Sequence, residues 1–302
     1  MPSAHPSLRP DRRDVIAGAI MAGTALAVGS AGAEETKPMT PRLVSYDSAL
    51  GAGRVTLEVL VRGSGPLVVL IPSLGRGASD FDDLAGRIAS AGFMAVAINP
   101  RGVGRSVGPD PRDLADCGQD VAEVIGQLSP AAPAAVIGHA FGNRVARATA
   151  ALHPERVSLP ILLAAGGQSP PAAVASKALR DVFDETLSPE AHLAAVRTAF
   201  FAAGNAPEVW RGGWYSAVAR AQQAALRATP PDSWTGAGSA PILIVQAEDD
   251  VIAPPANAEA LKRAYPARVS VRMLAHAGHA MLPELPEQIA EIIITRLREA
   301  NA

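Results

Sequence analysis

Short apolar runs alternate along this chain with segments of helical periodicity, and that alternation constrains the fold more than any other feature. Residues 55–61 read as a strand. Residues 67–71 read as a strand buried on both faces, because the run is continuously apolar. Residues 80–91 carry Phe81, Leu84 and Ile88 at three- and four-residue steps, the spacing of one helix face, and Gly92 marks the stop. The rhythm repeats with strand 94–98, a loop at 99–106, helix 116–128, strand 134–137, helix 143–153 and strand 159–164. It resumes with strand 242–246, helix 256–264, strand 269–274 and a last helix over 287–298. Right-handed crossovers between such strands imply an α/β fold: a mostly parallel central sheet flanked by helices.

Residues 166–238 break the rhythm. The stretch is rich in alanine, 191–203 and 216–228 read as helices, and no strand is evident. It holds Trp210, Trp214, Trp234 and Tyr215, and is expected to be a helical lid inserted into a core of residues 55–165 and 239–302. Residues 34–54, polar with scattered Pro and Gly, are expected to form an extended lead-in.

Composition excludes several classes. Apolar residues make up 48% of the 302-residue chain, which argues against disorder although only 19% are charged. A net charge of −2 gives no electrostatic case for nucleic acid. Cys117 stands alone, so an intramolecular disulfide is excluded. No Cys/His cluster has zinc-site spacing, and no metal or organic cofactor is indicated. The expected partner is a small molecule.

The first 33 residues read as a leader. Arg9, Arg12 and Arg13 precede an apolar run over 15–28, and Ala31-Gly32-Ala33 supplies small residues for cleavage. The pair Arg12-Arg13 resembles a twin-arginine export signal, and the apolar run is shorter than a bilayer span requires. The expectation is a mature chain beginning near Glu34, periplasmic or secreted, with no stable membrane anchor.

The chemistry concentrates in three segments. Gly138-His139-Ala140-Phe141-Gly142 lies between a predicted strand and a predicted helix, with glycines where a sharp turn needs them. Gln246-Ala247-Glu248-Asp249-Asp250 follows another strand, with Pro254 four residues beyond Asp250. His276-Ala277-Gly278-His279 follows the last strand. Over residues 55–300 the chain resembles the α/β-hydrolase superfamily, whose nucleophile elbow reads G-x-S-x-G. The resemblance places Ala140 at the nucleophile position, Asp250 as the triad acid and His279 as the base. Glu248 and Asp249 are runner-up acids.

It further implies an oxyanion hole from the backbone N–H groups of Leu74 and Phe141, although Pro72-Ser73-Leu74-Gly75 replaces the family's usual His-Gly. Ser73 is either a displaced hydroxyl near the pocket or a turn-forming serine, and His276 an auxiliary pocket or structural histidine. Trp210, Trp214 and Trp234 either line an apolar lid pocket or form lid core. His139 reads as a packed elbow residue, and Arg101-Gly102-Val103-Gly104-Arg105-Ser106 resembles a structural loop of the family.

A methyl group cannot attack a carbonyl, so Ala140 departs from the family pattern. Either a laboratory Ser-to-Ala substitution or a natural branch without the serine would give this sequence. The retained leader, of no use in a protein made to trap a substrate, favours the second. Three activities fit the residues. The first is hydrolysis of a small apolar ester-, lactone- or amide-like compound by His-activated water. The others are a lyase, decarboxylase or isomerase reaction using the His–Asp pair, and small-molecule binding without catalysis.

Overall fold

The computed structural model describes residues 38–48 and 53–302; the leader lies outside the described residues. Eight strands form one sheet: β1 (Thr40–Asp47), β2 (Arg54–Arg62), β3 (Leu67–Ile71), β4 (Met94–Ile98), β5 (Ala134–His139), β6 (Val157–Leu163), β7 (Ile242–Ala247) and β8 (Val269–Leu274). Their spatial order is β1-β2-β4-β3-β5-β6-β7-β8. β2 pairs antiparallel with β1 and β4, and every other pairing is parallel. The expected mostly parallel sheet is present.

The central strands are mostly apolar, with His139, Ser158 and Gln246 as exceptions, because both faces are covered. Val69, Val96, Val136 and Ile244 face one core, packed by α2 (Leu114–Leu128) and α3 (Phe141–Leu152). Val68, Leu70, Ala95, Ile137 and Val245 face the other, packed by α1 (Asp82–Ser90) and the C-terminal helix (Pro286–Ala300). Period-two alternation thus survives within mostly apolar runs.

The lead-in carries more structure than expected. β1 is an edge strand that buries only Val44 and Tyr46, so its sequence lacks a strong strand pattern. Helix boundaries also move. The segment expected as one helix over 80–91 opens with a 3₁₀ turn, Ala78–Phe81. α2 starts at Leu114 because the Asp113 carboxylate caps the N–H of Asp116 at 3.1 Å. Between β6 and β7 lie α4 (Ala173–Asp181), α5 (Pro189–Phe200) and α6 (Ser216–Ala228). α4 was not expected, and α5 stops three residues before the expected end.

The chain leaves β3 for β4 on one side and β5 for β6 on the other, so the connections diverge between β3 and β5. The carboxyl ends of β3 and β5 therefore open onto the crevice where such sheets hold ligands. Near that end, Arg101 donates from Nε and Nη2 to Asp120, each at 3.0 Å, and the Tyr46 hydroxyl donates to Asp120 at 2.6 Å. All three are buried, and the network ties β1 to α2 through the 99–106 loop. Ser106 secures the same loop by donating to the Asn99 carbonyl at 2.7 Å. Removing one member of a buried pair leaves the other charge unmatched. Arg101→Met is expected to cost about 3–5 kcal/mol, measured by urea unfolding; a loss below about 1 kcal/mol would mean the pair behaves as an exposed one.

Candidate active site

The turn joining β5 to α3 is built by close approach. Ala140 adopts φ 52°, ψ −106°, a region a non-glycine residue occupies at a cost of about 1–3 kcal/mol. Its N–H donates to the Leu163 carbonyl at 3.0 Å. The Asn143 amide donates to the carbonyls of Ala140 and Ala164, the second at 3.1 Å. A Cβ on Gly142 would lie 2.2 Å from the Ile71 carbonyl oxygen, and one on Gly138 2.1 Å from that of Gly142. Glycine is needed at both.

Asp250 and His279 meet in the interior. Asp250 sits on the turn after β7, where Oδ1 accepts the N–H groups of Ile252 at 2.9 Å and Ala253 at 2.7 Å. His279 Nδ1 lies 3.0 and 2.9 Å from the two carboxylate oxygens. That contact places the ring proton on Nδ1 and leaves Nε2 as the basic nitrogen. Glu248 and Asp249 are exposed. The backbone holding His279 is fixed in turn, since Ala280 N–H donates to the Phe200 carbonyl at 2.7 Å and Gly278 N–H to Glu284 at 2.7 Å.

His279 and Ala140 line one cavity of about 460 Å³, together with Ser73, Leu74, Phe141 and Arg144. Leu179, Phe200 and Ile252 supply apolar wall, and residues 166–171 form another side. The volume suits a small ligand. The structure thus gathers Ala140, His279, Ser73, Leu74 and Phe141 around one space, with Asp250 behind the histidine.

Three expected pocket residues lie elsewhere. His276 is exposed, on a turn at φ 60°, and does not line the cavity. Trp210 and Trp214 do not line it either. Arg76 is buried with its guanidinium carbon 4.5 Å from each indole, and the two rings, at 82° to one another, form a corner that the cation packs into. Phe200 stacks on Trp214 at 5.2 Å. Trp234 is core, packed beneath the Arg147 guanidinium at 4.5 Å. Arg144, by contrast, escaped the sequence reading; it lies in the first turn of α3, directly after the turn at Ala140, and lines the cavity.

His139 is wholly buried, and its Nε2–H donates to the His279 carbonyl at 2.8 Å. Burial, with the neighbouring His279 ring adding to it, pushes its pKa down to about 3. The ring is neutral in the folded protein at any ordinary pH.

A sheet of this topology, a strained strand-to-helix turn and a buried His–Asp pair at the strands' carboxyl ends define the α/β-hydrolase fold. The profile of the family described as serine aminopeptidase, S33, matches residues 64–286, and the chain belongs to that family. Among curated relatives, a protein named as the carbamate hydrolase RutD of Variovorax paradoxus is 28% identical over 244 residues, covering 74% of this chain and 88% of that protein. The 2-(acetamidomethylene)succinate hydrolase of Mesorhizobium japonicum is 32% identical over 106 residues, covering 35% and 37%. A thermophilic esterase from Thermogutta terrifontis superposes with a TM-score of 0.71 at 23% identity, covering 87% of this chain and all of that one.

Because His139 has a folded-state pKa near 3 against an ordinary 6.5, the unfolded chain gains a proton that the native chain refuses as pH falls. Its contribution to stability is complete above pH 6.5 and drains away down to about pH 3. Unfolding free energies across that window should fall less steeply in His139→Gln, by one proton's worth of slope. Identical slopes would mean that the native ring is protonated.

Proposed function

We propose that this protein hydrolyses a small ester-, lactone- or amide-like substrate by direct attack of water activated on His279, with no covalent intermediate. The observation that carries the reading is the buried Asp250–His279 pair opening on the same cavity as a methyl group at 140. His279 Nε2 takes a proton from water, and the resulting hydroxide adds to the substrate carbonyl. The N–H groups of Leu74 and Phe141 receive the developing oxyanion. The imidazolium then returns its proton to the leaving oxygen or nitrogen as the carbon–heteroatom bond breaks. Asp250 stays ionised, holding the tautomer and stabilising the imidazolium. An alanine at 140 leaves the space facing His279 to the attacking water.

Family membership supports hydrolysis, and the two curated relatives are named for cleaving a carbamate and an acetamide-bearing succinate. Carbamates and amides share the C(=O)–N group that this mechanism addresses. Helices α4 to α6 serve as the lid over the cavity, and Leu179 and Phe200 favour a compact apolar body in the substrate. The leader places the mature protein outside the cytoplasm; Arg12→Lys with Arg13→Lys should hold it inside, as fractionation would show.

Steady-state and stopped-flow assays with nitrophenyl acetate test the mechanism. His279→Gln is expected to lose about 10²-fold or more in kcat, and Asp250→Asn to lose activity in the same direction. Ala140→Ser is expected to turn over faster than the parent and to release a burst of nitrophenol, the mark of an acyl-enzyme. Undiminished activity in His279→Gln would overturn the assignment of the base. A burst in the parent itself would overturn direct attack by water.

A further inference from the structure

Arg144 is left without a counter-charge. Among the described residues no hydrogen bond or ion pair holds its guanidinium, and its Nε is buried without an acceptor. Arg144 is half-buried, whereas two buried arginines are paired with acids: Arg76 donates from Nε to Asp80 at 2.8 Å, and Arg101 is paired with Asp120. Burial lowers the pKa of Arg144, and no carboxylate acts to offset it. One helical step further on, Arg147 adds a second cation. Its Nη2 donates to Asn143 Oδ1 and the Gly166 carbonyl, both at 2.7 Å, and its own Nε is also buried and unmatched. Arg144 lowers the pKa of Arg147 further, beyond the effect of burial itself.

Two neighbouring cations with no acid between them repel each other and are costly to bury. Arg144 lines the cavity that holds Ala140 and His279, and no aspartate or glutamate lines that cavity. It sits in the first turn of α3, just beyond the Ala140 turn. A guanidinium offers a planar fork of donors that matches a carboxylate.

We propose that Arg144 is the anion-binding residue of this cavity, and that the substrate carries a carboxylate a few bonds from its scissile carbonyl. Half-esters and half-amides of short dicarboxylic acids have that chemistry. The carboxylate pairs with Arg144 while the carbonyl lies between His279 and the N–H groups of Leu74 and Phe141. The inference rests on the proposed function for the identity of the scissile group, but the binding of an anion does not.

Calorimetry on the full-length protein separates the two. Levulinate, a ketone with a carboxylate and nothing to hydrolyse, is compared with hexan-2-one, a neutral ketone of similar size. Levulinate should bind at least about tenfold more tightly, the effect of a charge-assisted hydrogen bond. Arg144→Gln should abolish the preference and Arg144→Lys should retain part of it, with unfolding curves showing both variants folded. No binding of levulinate, equal affinity for the two ketones, or an unchanged preference in Arg144→Gln would each overturn the proposal. A preference that depends on Arg144, in a protein that cleaves no ester or amide, would leave the anion site standing and remove only the hydrolytic reading.

Discussion

The site depends on how closely the first turn of α3 meets the end of β3. Gly142 approaches the Ile71 carbonyl so nearly that no side chain fits between them. That contact brings the amide of Phe141 and the loop at Leu74 to one cavity wall. It also forces Ala140 to positive φ, and the strain is offset by the bonds from Ala140 and Asn143 to the end of β6. Ala140 thus keeps an unfavourable backbone geometry although its side chain has no reactive atom.

Around this turn, each strand's carboxyl end contributes one part. β3 leads to Ser73 and Leu74, β5 to Ala140, β6 to the 166–171 wall, β7 to Asp250 and β8 to His279. Asp250 is satisfied locally by two backbone N–H groups, and His139 Nε2 by one carbonyl. Arg144 is not, and its unmatched Nε belongs to a residue on the wall of the cavity.

Much of this was legible in the chain. Continuous apolar runs identify the buried strands, and paired glycines around residue 140 identify a turn that only they can make. The pairing of Asp250 with His279 is implied by the family resemblance, and the structure gives its basis in their positions after the neighbouring parallel strands β7 and β8. What escaped did so for physical reasons. β1 buries only Val44 and Tyr46, and Leu43 is 52% exposed, so no apolar run marks it as a strand. Trp210 and Trp214 look like pocket residues until Arg76, far away in sequence, is found packed against both. Arg144 sits on a helix whose spacing fits a core face, and nothing in the sequence announces that its acid is missing.

The loop after β3 is stitched to the inserted helices. Tyr215 N–H donates to the Gly75 carbonyl at 2.9 Å, Gly75 N–H to Gln222 at 2.8 Å, and Arg76 to the Gly212 carbonyl at 2.7 Å. With the Arg76 cation packed against two indoles, lifting this part of the insertion would strip a buried charge of its aromatic cover and carbonyl partner at once. The insertion at this point is a fixed wall, continuous with the loop that carries Leu74.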